Sequence, residues 1–461
     1  MSDNTPSADS AAFPVLDARG ATPGTSAAPP DPHADEHHNL TLLSVHQVIF
    51  RTGWVFKTES VVMPAFLDAV SSATAAGTLR SLLPLLNRLG QSIPPLLYAP
   101  RLQAMRRKKW SLAFTTLLMA VPLLALALLA LGGYDRRYGW MAPLYLLLYA
   151  VFSCCMGLNN LALGTLQGKL IRPARRGRLL MLGAFFGSGS AIVFAWLLMA
   201  TWLEQGYRGF GLVFGFCGLC FVLASLSMAA VREPPDVAGT VVRGGLRRHV
   251  QDAWRLWRED GRFRRLCTVA MLYSISSILF PHYQALARER LDLGGSDLMY
   301  WVVVQNAAIA VFSLLAGPLA DARGNRLALR MVILLSAVGP VLALMLTYVP
   351  AEAGRQWFWV VFSFIGMTPL SLRLFSNYAL EIGPVEQHAR YLSTLSLATA
   401  LPFCLSPVVG VLVDVLGFDA VFCGGAVLLV GCELLTWGLP EPRHETASAQ
   451  ASRWRPARPS E

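Results

Sequence analysis

Apolar residues in this chain neither alternate with polar ones nor keep to one stripe of an amphipathic helix. They come in long, nearly unbroken runs. Twelve such runs fall near residues 42–68, 77–99, 110–132, 140–166, 179–204, 209–230, 266–286, 299–320, 331–349, 357–380, 392–416 and 419–438. A lipid core about 30 Å thick needs roughly 20 mostly apolar residues per helical crossing. The short alternating strands of an outer-membrane barrel do not fit runs of this length. The expectation is an all-α integral membrane protein with twelve transmembrane helices.

The runs fall into two sets of six, residues 41–230 and 266–440, joined by a loop over 231–265. Within that loop "LRRHVQDAWRLWREDGRFRRL" has helical periodicity, with Trp254 and Trp257 among basic residues, the pattern of a helix lying on a membrane surface. The halves also echo each other: "LLYAPRLQAMRRKKW" stands where "AGPLADARGNRLAL" stands in the second, and "LQGKLIRPARRGRLL" where the second has "YALEIGPVEQHARYL". Two related six-helix halves form a transporter architecture. Residues 1–40, rich in Ser, Pro, Ala and Asp, and residues 441–461 read as disordered cytoplasmic tails. The first lacks the charged start and cleavage site of a secretory signal.

Composition agrees: 54% of the 461 residues are hydrophobic and 15% charged. A net charge of +11 would suit nucleic acid, but its distribution argues otherwise. With the N-terminus inside, the inner loops hold 23 basic residues and the outer loops 6. That is the positive-inside signature, so both termini are expected in the cytoplasm of a bacterial inner-membrane protein, with anionic lipids at the basic inner loops and no nucleic-acid partner. The eight cysteines lie in or beside the runs as small apolar residues, and "CGLC" at 217–220 lacks the further ligands a zinc site needs. No phosphate-binding loop, HExxH or GxSxG motif occurs, so neither ATP-driven transport, an enzyme, a metal nor a cofactor is expected.

"GPLADARGNR", residues 317–326, interrupts two apolar runs with a Gly, an Asp four positions later, then a basic residue, a Gly and another basic residue. It resembles the signature loop of the major facilitator superfamily, matched by Gly317, Asp321, Arg323, Gly324 and Arg326. "SPVVGVLVDVLGF" and the six-plus-six layout add to the resemblance, which covers about residues 41–440. It implies two pseudo-symmetric six-helix halves that carry a small molecule by alternating access, with helices one, four, seven and ten around a central cavity. A monomer is expected. Asp321, Glu381 and Arg390 are expected to form a cytoplasmic latch, against the alternative that these charges mark topology. For Arg326 a solvated face stands equally open. In the first half no acid stands at the place of Asp321, and Gln167 occupies the region of Glu381. The basic cluster there is then drawn either to lipid headgroups or to acids of the other half. Span five carries Gly183, Gly187 and Gly189 for close packing but no Gly-Pro pair, unlike the drug/proton antiporters of that superfamily.

Charged groups inside spans cost several kcal/mol unless paired or facing water. Lys57 and Glu59 fall in span one, Asn87, Arg88 and Gln91 in span two, Asn159 and Asn160 in span four, Gln305 and Asn306 in span eight, and Arg373 in span ten. On a continuous helix Lys57 and Glu59 point about 200° apart, so one of them faces the cavity. Arg373, Asn377 and Glu381 recur every four residues as one polar stripe. Glu59 is the expected proton carrier, because burial disfavours a charged carboxylate, with Arg88 or Lys57 as partner. The alternative is a structural network of Lys57, Glu59 and Arg88. Arg88 and Arg373 point to an anionic substrate. His282 is read as a packing residue ahead of a proton relay, and Glu433 as structurally paired. Two functional classes stand: a secondary transporter, with proton coupling or as a facilitator, and a non-transporting sensor or scaffold of the same fold.

Overall fold

The computed structural model describes residues 33–71, 76–135, 137–236, 246–384 and 387–440, without the side chains at 173, 174, 177, 246, 248, 249, 317, 321 and 389. The tails expected before residue 33 and after 440, and the loop stretch 237–245, lie outside the described residues.

The first half consists of α1 (Glu36–Val55), α2 (Val62–Val70), α3 (Ala76–Ala104), α4 (Lys109–Leu131), α5 (Met141–Leu170), α6 (Pro173–Phe194), α7 (Ala200–Leu203) after a π-helical turn, and α8 (Tyr207–Ser227). The loop helix is α9 (Leu246–Glu259). The second half runs α10 (Gly261–Ser276), α11 (Phe280–Leu291), α12 (Asp297–Arg323), α13 (Asn325–Tyr348), α14 (Ala351–Trp357), α15 (Trp359–Ile365), α16 (Thr368–Ile382), α17 (His388–Ala400) and α18 (Ser406–Thr436).

Among the described residues nine helical stretches are long and apolar enough to cross a membrane. The expected twelve is not reached on that measure, for physical reasons. The first run is broken between α1 and α2, α3 carries Arg80, Asn87, Arg88 and Gln91, and the last two runs join into one stretch, Arg390–Thr436, bent at Gly417. Gly417 has φ 78°, a left-handed conformation that favours glycine. The surface is inverted relative to a soluble protein: Phe185 and Leu314 are 73% and 76% exposed while Lys57 is 0% exposed. Such a surface fits a hydrocarbon solvent.

Four mid-chain interruptions come at comparable depth. Between α1 and α2 the chain reads "FKTESV", between α10 and α11 "SIL", between α15 and α16 "GM", and between α17 and α18 "LPFCL". Pro64, Pro281 and Pro369 each sit in the first turn of the piece that follows, where a missing N–H leaves no bond unmade. The α5 helix passes the same level unbroken.

One boundary differs from the sequence expectation. The first helix starts at Glu36, inside the segment read as tail, because its polar residues find partners in the first half. The Glu36 carboxylate accepts from Arg172 N at 2.9 Å and Arg175 at 3.2 Å, and Asn39 bonds the Arg232 backbone in both directions at 2.8 and 2.9 Å. The backbone N–H of Arg172 holds the Glu36 carboxyl below its ordinary range. The face of the molecule holding residues 33, 236, 246 and 440 is called the tail face below, and the opposite one the far face.

Candidate functional site: a cavity between the two halves

A cavity of about 330 Å³ lies where the halves meet, walled by α3, α5, α12, α16 and the interruptions of the broken helices. The break at residues 56–61 shapes its polar side. Thr58 lies in it with its hydroxyl accepting from Val62 N at 3.3 Å and its carbonyl accepting from Met63 N at 3.0 Å, so this short polar side chain competes with continued helix. Lys57 follows the C-terminal end of α1 and Glu59 precedes the N-terminal end of α2. Each charge therefore stands at the helix end of opposite polarity.

Both residues line the cavity, which corrects the geometric expectation that only one of them faces it. That expectation assumed an unbroken helix. Lys57 Nζ donates to Glu59 Oε1 at 2.8 Å and lies 3.2 Å from the centroid of the Trp54 ring. The lysine side chain is 0% exposed and the carboxylate 37%, so the cation is the dry partner and the acid meets the cavity. Asn87 Nδ2 also donates to Glu59 Oε1 at 2.6 Å and to Tyr149 Oη at 3.2 Å, and Gln91 donates to Asn87 Oδ1. Across the junction Ser60 donates to Gln305 Oε1 at 2.6 Å. Asn306 lines the cavity and bonds the Val302 carbonyl at 2.8 Å. Arg88 lines it too, its guanidinium 4.9 Å from the ring centroid of Phe403.

Other expected cavity residues lie elsewhere. Asn159 is buried against α4, donating to Thr116 Oγ1 at 2.6 Å, because α5 turns that face to its neighbour. Asn160 is exposed and off the cavity wall, as are Arg373 and Asn377, which sit on α16 between the cavity and the tail face. The lining residues Ser60, Tyr149, Ser277 and Thr368 escaped the sequence reading. Prolines 64, 281 and 369, each just after a short polar or Gly-containing break, were the signal that marked this depth.

The far side of the cavity is closed by bonds between the halves. The Asp68 carboxylate accepts from Arg80 Nε at 2.6 Å, Gln284 at 2.7 Å and Arg288 at 3.0 Å, and Arg80 also pairs with Glu289 at 3.0 Å. One turn away Asp414 accepts from Gly77 N at 2.7 Å, Thr78 N at 2.9 Å and the Thr78 hydroxyl at 2.7 Å, capping the start of α3. His282 shares a hydrogen bond of 3.0 Å with Ser81. Among the described residues, every hydrogen bond and ion pair that joins the halves lies at the cavity or on its far side.

On the tail side, among the described residues, the charges named below bind within their own half. Gly317 and Asp321 lie within α12, and the side chain of Asp321 is outside what the structure describes. Arg323 is exposed in the last turn of α12, and Gly324 ends that helix at φ 93°. Arg326 donates to the Trp437 carbonyl at 3.0 Å. Glu381 accepts from Asn325 at 2.9 Å, while Arg390 reaches Gln387 and the Asp252 carbonyl, both at 3.3 Å. In the first half the lysines of the basic cluster find partners within their own half, while Arg101, Arg106 and Arg107 are exposed. Glu233 accepts from Lys108 N at 2.9 Å, Lys109 N at 2.7 Å and Lys169 Nζ at 2.7 Å, and Asp236 pairs with Lys108 and, at 2.9 Å, with Lys169. Acids just after α8 thus supply what the loop itself lacks. Glu433 pairs with Arg330 at 3.1 Å, as read. Gly183 and Gly187 let α6 lie directly on Gln47 and Arg51 of α1, whereas Gly189 faces open space.

This is a helical multi-pass membrane protein whose two halves enclose a polar cavity. A sequence model described as Major Facilitator Superfamily matches residues 286–460. The fold is similar to that of a point mutant of the nucleoside transporter NupG, at 12% identity and TM-score 0.66, covering 88% of this chain and 99% of that one. It is similar to a D-xylose-proton symporter at 14% identity and TM-score 0.67, covering 87% and 98%. A bacterial homologue of the human lysosomal transporter Spinster matches at 14% identity and TM-score 0.57, covering 92% and 99%. No curated protein matches the chain. These matches agree with the resemblance carried by "GPLADARGNR": residues 286–460 match the Major Facilitator Superfamily model, and the fold is that of these solved transporters.

Proposed function

We propose that the protein is a secondary transporter that moves a small polar solute across a bacterial inner membrane by alternating access. The observation that carries this is the asymmetry of the junction: the halves are bonded to each other beyond the cavity on the far side and, among the described residues, not on the tail side. Such a cavity belongs to one of two states exchanged by rocking. The excess of basic residues supports a cytoplasmic tail face, which makes this state, in our reading, open inward with both termini inside. Twelve crossings follow when the nine stretches are joined by α1 with α2, by α3, and by a division of the last stretch at Gly417.

Glu59 is the proposed proton carrier. It is the ionisable acid on the cavity wall, and its proton would compete with the bond to Lys57. Likeness to a D-xylose-proton symporter and a nucleoside transporter agrees with a small polar solute. Anionic lipid is the proposed partner of α9, where Trp254 is 53% exposed with Arg258 over its ring, since the lysines of the first-half loop are already paired. The Lys57–Glu59 bond also suits a second reading, a fixed structural pair in a non-transporting protein of this fold. Solute-dependent proton movement into vesicles holding purified protein separates the two. Movement that Glu59→Gln abolishes supports coupled transport, and no solute flux from a broad metabolite panel supports the second reading.

A further inference from the structure

We infer that the solute taken by the cavity is a small anion whose carboxylate or phosphoryl oxygens are held by Arg88. The inference rests on the transporter reading and adds the substrate class to it. Other buried or half-buried cations within the spans have acids: Lys57 has Glu59, Arg80 has Asp68 and Glu289, and Arg330 has Glu433. Arg88 differs. It has no acid within 4 Å and no hydrogen bond among the described residues; its guanidinium lies 4.9 Å from the ring centroid of Phe403 and feels the charge of Glu59 from beyond ion-pair distance. Its planar fork of donors therefore opens onto the cavity unfilled, and that fork matches the paired oxygens of a carboxylate or phosphate. An uncompensated cation within a membrane is costly, and an arriving anion removes that cost.

The charge of the whole wall points the same way. Lys57 and Glu59 cancel each other at 2.8 Å, and the other polar lining groups used above, Ser60, Asn87, Gln91, Gln305 and Asn306, are neutral. Arg88 is left as the net charge. The approach from the tail side is cationic as well. Arg51, one turn from the lining residue Val55, donates to Ser188 Oγ at 2.8 Å and feels the charge of Arg373, the neighbour of the lining residue Leu372. Neither has an acid within 4 Å among the described residues. Glu381, further down the same face, is bonded to Asn325. Three arginines without acids along one path draw anions inward and repel cations. A volume of about 330 Å³ is in the range of small-molecule pockets.

The test needs no knowledge of the solute. Ile309→Cys places a thiol on the cavity wall, and Leu372→Cys is a second reporter should the first fold poorly. Detergent-purified protein is treated with negatively and positively charged methanethiosulfonate reagents of similar size. The account expects the anionic reagent to react roughly tenfold faster or more, the ratio to fall towards one with Arg88→Gln or Arg373→Gln, and Arg88→Lys to keep most of it. A cationic reagent reacting as fast, or a ratio indifferent to Arg88→Gln, overturns the proposal. In parallel, lactate, succinate and inorganic phosphate are compared with lactamide and succinamide by thermal unfolding. The acids should raise the melting temperature and Arg88→Gln should remove the rise; amides matching the acids, or no rise with any anion, also count against it. Anions that bind without crossing vesicles would sink the transport reading alone. Flux of a neutral or cationic solute would sink the anion assignment alone.

Discussion

Nζ of Lys57 lies 2.8 Å from Oε1 of Glu59 because the first span is unwound between them, and the buried partner is the lysine. Removing the carboxylate charge alone strands a buried ammonium, which costs about 3 kcal/mol. Glu59→Gln should therefore lower thermal stability clearly, and adding Lys57→Met should recover much of the loss. A double mutant as unstable as Glu59→Gln would show that the pair is not coupled as described.

Gly410 and Gly77 let α18 and α3 touch backbone to backbone at the far face. A Cβ at 410 would stand 2.6 Å from the Gly77 carbonyl oxygen and 2.6 Å from Ser81 Oγ, and one at 77 would stand 2.8 Å from the Gly410 carbonyl oxygen. Gly410→Val should hold the far face apart while leaving each half folded. Cysteines placed across α3 and α18 would then crosslink several-fold more slowly than in the parent, and an unchanged rate would contradict the close approach.

Asp68 gathers Arg80, Gln284 and Arg288 on one carboxylate whose side chain is 1% exposed. Asp68→Asn leaves two arginines without their shared acid, a change of roughly 2 to 4 kcal/mol against the closed far face. Labelling of a thiol on the far side of the cavity by an impermeant reagent should rise by tenfold or more. Labelling equal to the parent's would place the lock elsewhere.

On the tail face Asp236 offers a pH test. Burial pushes its carboxyl up, but the hydrogen bonds and charges of Lys108 and Lys169 outweigh it and hold the group below the ordinary carboxylate range. A group lowered in the folded state adds stability above its unfolded value, near 4, and loses it as pH falls through the folded value. The stability gap between the parent and Asp236→Asn should be constant from pH 7 to 5 and close at still lower pH. A gap that widens on acidification would reverse the sign.

Long apolar helices were legible from hydropathy because lipid demands them, and nine stretches of that kind stand among the described residues. Polar residues within runs also led to Lys57, Glu59, Arg88, Gln91, Gln305 and Asn306, all on the cavity wall. Asn159 misled because a polar residue in a span is equally stable when hydrogen-bonded to a neighbouring helix, here to Thr116. The break in the first span was missed because its residues were placed on a regular 100° turn, although a Lys-Thr-Glu-Ser string followed by Pro64 argues against one. The far-face lock was invisible for another reason. Asp68, Arg80, Arg288 and Asp414 lie at span ends, where charges are ordinary, and only the packing of α2, α3, α11 and α18 brings them together.

The central claim, that the halves rock about this cavity, is tested most directly by pulsed electron-spin distances in lipid nanodiscs. One label pair spans the far ends of α3 and α11 and a second spans the tail ends of α5 and α16. The account predicts that the parent shows a short far-side and long tail-side distance, and that Gly410→Val lengthens the first while shortening the second. Distances that stay fixed on both sides, or that lengthen together, would contradict it.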